Sequence, residues 1–258
     1  MTTAQAVNRI ELEAKVKEMY RYVADAPSGE FHFEMGRTLA ERLGYRPAEL
    51  DRVAPEAVES FAGVGFHFDL AAIRSGDTVL DLGSGSGMDS FIAALKTGPA
   101  GHVSGLDMTD AQLQKAERLR AAAGLEHVSF HKGYIEDVAF ASETFDVVIS
   151  NGVINLSADK ARVFLEAARV LKPGGRLAIS DIVTEKPLPE GVTCNATLWA
   201  ACIGGAMQQD DYFQVITRAG LHLVQVRDNP QYQFLSQNAK NAAHKYGVKS
   251  VSLLAIKY

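Results

Sequence analysis

Apolar residues recur along this chain with two different periods, and the change between them divides the chain into two parts. In the first part, the segment from Ile10 to Tyr22 places apolar side chains such as Val16 and Tyr20 on one helical face. Residues 31–43 repeat this spacing and are followed by Gly44, a typical helix stop. The pattern predicts two amphipathic helices at the front of the chain.

From Asp77 onward, short apolar segments alternate with amphipathic ones, which is typical of a sheet built from strand–helix–strand units. A capping box of Thr109 and Gln112 is expected to start one of the helices. Residues from about 185 to 210 interrupt the alternation and are predicted to form an insertion. The predicted strands are residues 78–82, 102–106, 128–131, 145–150, 176–181, 221–226 and 250–258, and the predicted helices are residues 89–96, 109–123, 159–171 and 210–219.

Composition limits the classes of protein that this pattern fits. The chain has 258 residues, of which 47% are hydrophobic, enough for one large core. The longest apolar run, Leu198–Ile203, is far shorter than the roughly 20 residues that span a bilayer, so we expect no membrane partner. Because residues 1–9 lack the basic start and apolar stretch of a secretory signal, we expect a cytoplasmic location.

Net charge and cysteine content limit the kinds of ligand and partner that this chain can bind. A net charge of −5 argues against a protein that binds nucleic acid by neutralising many phosphates. Cys194 and Cys202 are too few for a disulfide framework, and no Cys/His spacing indicates a zinc site. We therefore expect reduced thiols, no bound metal and a small molecule as the partner.

A glycine-rich loop, Asp81-Leu-Gly-Ser-Gly-Ser-Gly87, directly follows the first predicted strand. Glycine has no side chain to clash and adopts positive φ readily, so such a turn lets a nucleotide approach the backbone. The dinucleotide fingerprint would need a glycine where Met88 stands. Alone, the loop fits a structural turn about as well as a cofactor site.

The second strand sharpens the prediction because it ends in Asp107, where a carboxylate can accept hydrogen bonds from both hydroxyls of a ribose. Met108 is expected to lie against an adenine, and its alternative role is core filling. Asp81, before the first glycine, would repel a pyrophosphate but attract the ammonium or sulfonium of a methyl donor. These residues favour a methyl donor over a nicotinamide dinucleotide.

Adenine recognition is predicted for residues 133–137, after the third strand, where a backbone N–H can serve N1 and a carboxylate N6. The alternative for this segment is an exposed acidic turn.

Five motifs, in the same order along the chain, resemble those of class I S-adenosylmethionine methyltransferases. The branch is the one that holds arsenite methyltransferases and ubiquinone/menaquinone C-methyltransferases. The resemblance covers roughly residues 60–225. The motifs are residues 79–87, 105–109, 135–136, 147–156 and 171–181.

The resemblance implies an α/β fold with a doubly wound, mostly parallel seven-stranded sheet, Rossmann-like, whose last strand is reversed. Residues 1–60 would form an N-terminal helical cap, or lid, over the cofactor. Residues 61–258 would form the methyltransferase domain, with the substrate-side insertion at about 185–210.

The resemblance also implies that the cofactor is S-adenosyl-L-methionine. Asp107 would bind the ribose, Ile135 and Glu136 the adenine, and Asn151 would lie near the methionine moiety. Tyr20 or Tyr22 would contact the cofactor from the lid, unless both are ordinary packing residues. The predicted cofactor contacts are Tyr20, Asp81, Gly83, Ser84, Gly85, Gly87, Asp107, Met108, Ile135, Glu136 and Asn151.

The acceptor side is most similar to arsenite methyltransferases, which bind trivalent arsenic through several thiolates because soft ligands suit a soft centre. Where those enzymes have two of their cysteines, this chain has Val64 and Gly152. Cys202 matches a thiol position, although it fits equally well as a small buried residue. The predicted acceptor contacts are Asn155, Trp199 and Cys202.

The predicted activity is transfer of a methyl group from S-adenosylmethionine to a small molecule, in line, with a soft sulfur or arsenic nucleophile. Positioning can supply much of the barrier reduction, so no catalytic residue is assigned, and His32, His67 and His131 remain nominal bases. The alternatives are a C- or O-methyltransferase of a small metabolite, and a non-catalytic cofactor-binding module.

Overall fold

The apolar segments after residue 77 form the strands of one sheet in the computed structural model, which describes residues 8–29, 31, 33–193, 199, 203–235 and 237–258. Within these residues the sheet has eight strands, in the order β3-β2-β1-β4-β5-β8-β7, with β6 beside β5. The strands are β1 Thr78–Leu82, β2 His102–Asp107, β3 Val128–Lys132, β4 Phe145–Asn151, β5 Leu171–Thr184, β6 Met207–Gln208, β7 Leu221–Asp228 and β8 Lys249–Lys257.

Strand β8 runs antiparallel to β5 and β7, and the other pairs are parallel. The doubly wound, mostly parallel sheet with a reversed last strand is therefore confirmed. The two-residue strand β6 is an addition that the sequence did not predict.

The centre of the sheet is buried on both faces, as a parallel sheet requires. Val79, Leu80 and Leu82 of β1 are fully buried, and Asp81 between them is buried too, so the strand shows no alternation of buried and exposed positions. The strand order reverses between β1 and β4, which makes a crevice at their carboxyl ends. Open α/β sheets bind ligands at such a point.

Helices cover the two faces of the sheet. Phe91 and Ile92 of the helix Met88–Thr97 belong to one core, and Val163 and Phe164 of the helix Lys160–Val170 belong to the other. The helices are α1 Arg9–Asp25, α2 Gly36–Leu43, α3 Pro47–Leu50, α4 Pro55–Glu59, α5 Phe68–Ala71, α6 Met88–Thr97, α7 Asp110–Ala122, α8 Lys160–Val170, α9 Glu190–Thr193, α10 Gln209–Arg218 and α11 Gln237–Tyr246, with a 3₁₀ turn at Ile154–Leu156.

The helices before the sheet pack in two ways. Leu39 and Leu43 of α2 share a core with Val79 and Ile149 of the central strands. Helix α1 instead packs through Leu12 and Val16 into a separate apolar cluster. A division into a cap of residues 1–60 and a domain of residues 61–258 stays a prediction.

The helix predicted over residues 31–43 is shorter than expected, because α2 begins only at Gly36. The ring of Phe33 stacks on Tyr20, with 6.3 Å between the ring centroids, and on Phe31 at 5.6 Å. These aromatic residues therefore join the chain before α2 to helix α1 and do not form a helical face.

The predicted capping box at the start of α7 is wrong. Thr109 makes no side-chain cap hydrogen bond. Gln112 is drawn away because its side chain donates to the carbonyl of Tyr20 (2.8 Å) and accepts from Ser86 Oγ (2.5 Å). The backbone N–H of Thr109 donates to Asp107 Oδ1 instead (2.8 Å).

The short helices α3, α4 and α5 and the helix α11 were not predicted. Pro47 and Pro55 each stand in the first turn of a helix, where proline is favoured. In the predicted insertion, Cys194 and Cys202 lie outside the described residues. Among the helices of the described residues, none has the length and hydrophobicity needed to cross a membrane.

Candidate functional site

A cavity of about 510 Å³ opens at the carboxyl ends of the central strands. Asp81 of β1, Asp107 of β2 and Asn151 of β4 contribute one wall, and Glu13 and Tyr20 of α1 contribute the opposite one. The cavity thus lies where the strand order reverses, with α1 across it.

Nearly all of the predicted cofactor contacts line this cavity. Gly87 does not, and neither does Tyr22, the alternative lid residue. The contact of each residue with a cofactor stays a prediction. The predicted residues that line the cavity are Tyr20, Asp81, Gly83, Ser84, Gly85, Asp107, Met108, Ile135, Glu136 and Asn151.

The glycines of the loop after β1 are required by the backbone. Gly83, Gly85 and Gly87 have φ of +75°, +53° and +92°, a region that side chains other than glycine disfavour. A Cβ on Gly83 would lie 2.5 Å from Val153, and one on Gly87 would lie 2.8 Å from Phe130. Gly87 is therefore a packing glycine behind the cavity wall.

Asp107 fixes the loop and the start of α7 at once. Its Oδ2 accepts the backbone N–H of Gly85 (2.9 Å), and its Oδ1 accepts that of Thr109 (2.8 Å). Burial raises the pKa of Asp107, while the hydrogen bonds from these N–H groups lower it. The carboxylate lines the cavity and, as an acceptor, suits ligand hydroxyls.

Two buried carboxyl groups, those of Asp81 and Asp89, line the floor of the cavity. Burial and the charge of Asp89 together raise the pKa of Asp81 to about 8. Burial raises the pKa of Asp89 to about 6, against hydrogen bonds from Tyr45 and Asn151 that lower it. Their side-chain partners in the described chain are neutral groups, so this floor suits a cationic ligand.

Asn151 holds the chain segment before α5 against the strands. Its Oδ1 accepts the backbone N–H of Val64 (2.8 Å) and of Gly65 (3.3 Å), and its Nδ2 donates to Asp89 Oδ2 (3.1 Å) and to Tyr45 (3.0 Å). Because protein groups engage both ends of the amide, its structural effect is to position this segment and Asp89.

Sequence reasoning missed Asp89 and Tyr45. The signal available for Asp89 was a carboxylate two residues after the last glycine of the loop. No local pattern marks Tyr45, which reaches Asp89 across 44 positions of sequence.

Glu136 lies at the far end of the cavity, beside the 3₁₀ turn. Its Oε1 accepts a hydrogen bond from Ser157 Oγ, and its backbone carbonyl accepts one from Arg162 Nε (3.0 Å). The segment after β3 is tied to β2 because the N–H of Gly133 donates to the carbonyl of Asp107 (3.1 Å).

Polar contacts tie helix α1 to the same segment across the cavity. Tyr134 donates its hydroxyl to Glu13 Oε1 (2.7 Å), and Lys17 Nζ donates to both Glu13 Oε1 (2.6 Å) and the Tyr134 oxygen (3.0 Å). These three side chains form a latch between the helix and the segment after β3.

Asn155 and Trp199, two of the predicted acceptor contacts, do not line the cavity. Both are buried behind its wall. The indole N–H of Trp199 donates to the carbonyl of Thr193 (2.6 Å), and Lys160 Nζ lies 4.9 Å from the ring centroid. A lysine of the protein itself therefore makes a cation–π contact with this ring. Cys202, the third acceptor contact, lies outside the described residues.

None of the described histidines lines the cavity. His67 is fully buried, and burial lowers its pKa to about 3. His131 interacts with Ser129 in β3. His32 lies outside the described residues. The cavity lining beyond the polar groups is instead largely apolar, and includes Leu12, Val16, Phe61, Val153 and Leu156.

The chain is similar in sequence to a methyltransferase family model and to arsenite methyltransferases. A family model described as "Methyltransferase domain" matches residues 73–220. An arsenite methyltransferase of Halobacterium salinarum is 42% identical over 187 residues, which are 72% of this chain and 48% of the relative. The human arsenite methyltransferase is 44% identical over 138 residues, 50% of this chain and 37% of the relative. The chain spans about half, or less, of the length of these relatives.

Two solved structures are similar to the whole fold. An arsenic(III) S-adenosylmethionine methyltransferase from Chlamydomonas reinhardtii superposes with a TM-score of 0.65 at 31% identity, covering 87% of this chain and 74% of the other. A geranyl diphosphate C-methyltransferase from Streptomyces coelicolor gives a TM-score of 0.68 at 17% identity, covering 95% and 98%. At that identity the second likeness concerns the fold alone.

Proposed function

This chain belongs to the methyltransferase-domain family, with S-adenosylmethionine as the methyl donor, and we propose that it methylates a small molecule through a soft nucleophile, sulfur or trivalent arsenic. The observation that carries the proposal is the 42% identity to an arsenite methyltransferase over 187 residues, which are 72% of this chain. The activity and the methyl acceptor of this protein are both proposed on this basis.

The residues of the cavity fit this donor. Gly83 and Gly85 leave the glycine loop without side chains on the cavity side, and Asp107 presents a carboxylate to the cavity for a ribose. The described side-chain partners of Asp81 and Asp89 are neutral, which leaves these acidic groups for a cationic ligand. We assign the adenine to Ile135 and Glu136 and the methionine end to Asp81 and Asp89. Bound S-adenosylmethionine supplies an electrophilic methyl group on a sulfonium.

The protein's own contribution to methyl transfer is positioning and exclusion of water. Leu12 and Val16 of α1, with Leu156 after β4, cover the cavity with apolar side chains. A soft nucleophile such as a thiolate or arsenic(III) needs little help with deprotonation, which agrees with the lack of a histidine among the described lining residues. Holding the reactants in line can supply much of the rate enhancement.

Transfer to carbon or oxygen is the second candidate. It is favoured by Val64 and Gly152, which bear no thiol at the two positions where arsenite methyltransferases carry one. A ubiquinone/menaquinone biosynthesis C-methyltransferase of Klebsiella pneumoniae is 30% identical over 178 residues, 68% of this chain and 64% of the relative.

Turnover with labelled donor tests these proposals. The purified chain is incubated with methyl-labelled S-adenosylmethionine and, separately, with arsenite plus a small thiol, with small thiols alone, and with phenols. Labelled arsenic or thioether products support the first candidate, and labelled carbon or oxygen products support the second. Donor binding without product from any acceptor would indicate the non-catalytic module, and no donor binding would contradict all three.

Three further expectations, on the partner, the compartment and the domain division, remain proposals. The net charge of −5 supports a small-molecule partner over nucleic acid. The low cysteine content supports a reducing compartment such as the cytoplasm. The separate packing of α1 supports a lid within residues 1–60, ahead of a methyltransferase domain over residues 61–258.

A further inference from the structure

Tyr45 is a fully buried tyrosine that does not line the cavity but touches two residues that do. Its hydroxyl donates to Asp89 Oδ1 (2.7 Å) and accepts from Asn151 Nδ2 (3.0 Å). It therefore joins the chain after α2 to the first turn of α6 and the end of β4. Neither the motifs nor the proposed donor contacts include this residue.

We propose that Tyr45 is a positioning residue for the methyl donor, which holds Asp89 as the oriented, charged carboxylate that faces the cationic methionine end of S-adenosylmethionine. The proposal rests on the proposed function, because it requires this donor to bind in the cavity. Tyr45 acts through Asp89 and makes no contact with the ligand itself.

The geometry supports an orienting role because both oxygens of Asp89 are fixed by different elements. Oδ1 accepts from Tyr45 and Oδ2 accepts from Asn151, which is itself clamped to the backbone of Val64. The carboxylate therefore cannot rotate without losing a hydrogen bond to a charged group, which is stronger than one between neutral groups.

The groups around Asp89 explain why Asp89, and not the nearby Asp81, carries a negative charge. Asp81 on β1 and Asp107 on β2 are the further titratable groups that act on this floor, and Ser90 donates to Asp81 Oδ2 (2.7 Å). Burial and the charge of Asp89 raise the pKa of Asp81 to about 8. Burial raises the pKa of Asp89 only to about 6, because hydrogen bonds from Tyr45 and Asn151 stabilise it as an anion. Near neutral pH the proton thus resides on Asp81.

The ring of Tyr45 is held independently of its hydroxyl. It meets Phe61 at 5.1 Å and Phe66 at 5.0 Å between centroids, both edge to face. The substitution Tyr45→Phe therefore preserves this packing and removes only the hydroxyl. A matched control exists in Tyr212, which is also fully buried, packs edge to face on Phe164 and donates to a buried carboxylate, Asp181 (2.6 Å). Neither Tyr212 nor Asp181 lines the cavity.

The test is the affinity for S-adenosylmethionine, measured by calorimetry from pH 5.5 to 7.5, a range in which the ligand's ammonium stays mostly charged. Loss of one hydrogen bond to an anion should raise the pKa of Asp89 by about one to two units. In Tyr45→Phe the pH of half-maximal affinity should therefore rise by that amount, with binding at pH 6.5 about three- to twenty-fivefold weaker. Tyr212→Phe should keep the wild-type profile even if its melting temperature falls.

Two outcomes would overturn the assignment. A Tyr45→Phe variant with the wild-type pH profile would exclude it, and so would an equal loss of affinity at every pH, which a merely structural role predicts. If Tyr45→Phe does not fold, Asp89→Asn replaces it: its affinity for S-adenosylmethionine at pH 7.5 should be at least about tenfold weaker than that of the wild type, and wild-type affinity there would exclude Asp89. Absence of donor binding by the wild-type chain would instead refute the proposed function.

Discussion

The Cβ atom that Gly152 lacks would lie 3.0 Å from Cγ1 of Val64. Val64 is buried, so its side chain fills the space in front of the glycine. These are the two positions at which the arsenite methyltransferases that the sequence resembles carry cysteines. Thiols at both positions would be neighbours, and in this chain a matched valine–glycine pair replaces them.

The double variant Val64→Cys/Gly152→Cys should bind arsenite at least about tenfold more tightly than the wild-type chain, because two adjacent thiolates suit a soft centre. Removal of the valine makes room for the second side chain, although φ of +73° at Gly152 costs about 1 kcal/mol in strain. Calorimetric titration with arsenite measures the gain. The control is Val64→Ser/Gly152→Ser, which has nearly the same shape without sulfur, and an equal gain there would refute a thiolate site.

Much of the fold could be predicted because its strands are local signals. The first strand was predicted with its observed bounds, Thr78–Leu82, since an apolar run between turn residues suffices to mark it. The start of α7 could not be predicted in the same way. Gln112 is close to Thr109 in sequence but binds Tyr20 and Ser86 in space, and such tertiary competition leaves no trace in a local pattern.

The residues of the candidate site show the same difference between local motifs, which could be predicted, and tertiary contacts, which could not. Asp81, Gly83 and Asp107 stand at strand ends within motifs, and the structure brings them to one cavity. Trp199 was predicted as an acceptor contact, but it does not line the cavity, and its indole is buried against the chain around Thr193. An aromatic residue in an insertion carries no sequence signal that separates a ligand contact from a core contact.

Asp107→Asn should weaken S-adenosylmethionine binding by about ten- to a hundredfold, because an amide cannot accept from both Gly85 and Thr109 and loses the charge that would face the ribose. Calorimetry measures the affinity. Asp146→Asn is the control: Asp146 also accepts a backbone N–H, that of Thr78 (2.9 Å), but lies outside the cavity lining. Equal affinity of Asp107→Asn and wild type would remove the ribose assignment.

The variant Gly83→Ala should bind S-adenosylmethionine at least about tenfold more weakly than the wild type. Alanine is strained at φ +75°, and its Cβ would overlap Val153. Gly124→Ala tests the strain alone, because φ there is +63° and nothing lies within 4 Å of the added Cβ. It should cost about 1 kcal/mol in the free energy of unfolding and leave binding unchanged. Chemical denaturation and calorimetry measure the two effects, and wild-type affinity in Gly83→Ala would contradict the role of the loop.

Tyr134→Phe should release S-adenosylmethionine about two- to fivefold faster, because it removes the hydroxyl that links α1 to the segment after β3. The effect is small since the latch is exposed to solvent, where polar pairs contribute at most about 1 kcal/mol. Stopped-flow dissociation measures the rate. Tyr22→Phe is the control, because Tyr22 is an exposed tyrosine of the same helix that does not line the cavity. The same rate change in both variants would argue against the latch.

His67 should make the stability of this protein fall in acid. Its ring nitrogens have no hydrogen-bond partner among the described residues, and burial lowers its pKa from 6.5 to about 3. Between these values the unfolded chain binds a proton that the folded chain does not. The free energy of unfolding therefore falls as pH drops below about 6.5, by up to about 1.4 kcal/mol per pH unit, and is unaffected by His67 above pH 7.

The measurement compares wild type with His67→Leu and His67→Gln by denaturant unfolding from pH 4.5 to 8. The raised pKa values of Asp81 and Asp89 act with the opposite sign, but they are common to all three proteins and cancel in the difference. Relative to either variant, wild type should lose about 2 kcal/mol between pH 6.5 and 4.5. Leucine and glutamine differ in polarity but not in charge, so both should show the same pH dependence. A difference from wild type that stays constant with pH would show that His67 does not titrate on unfolding.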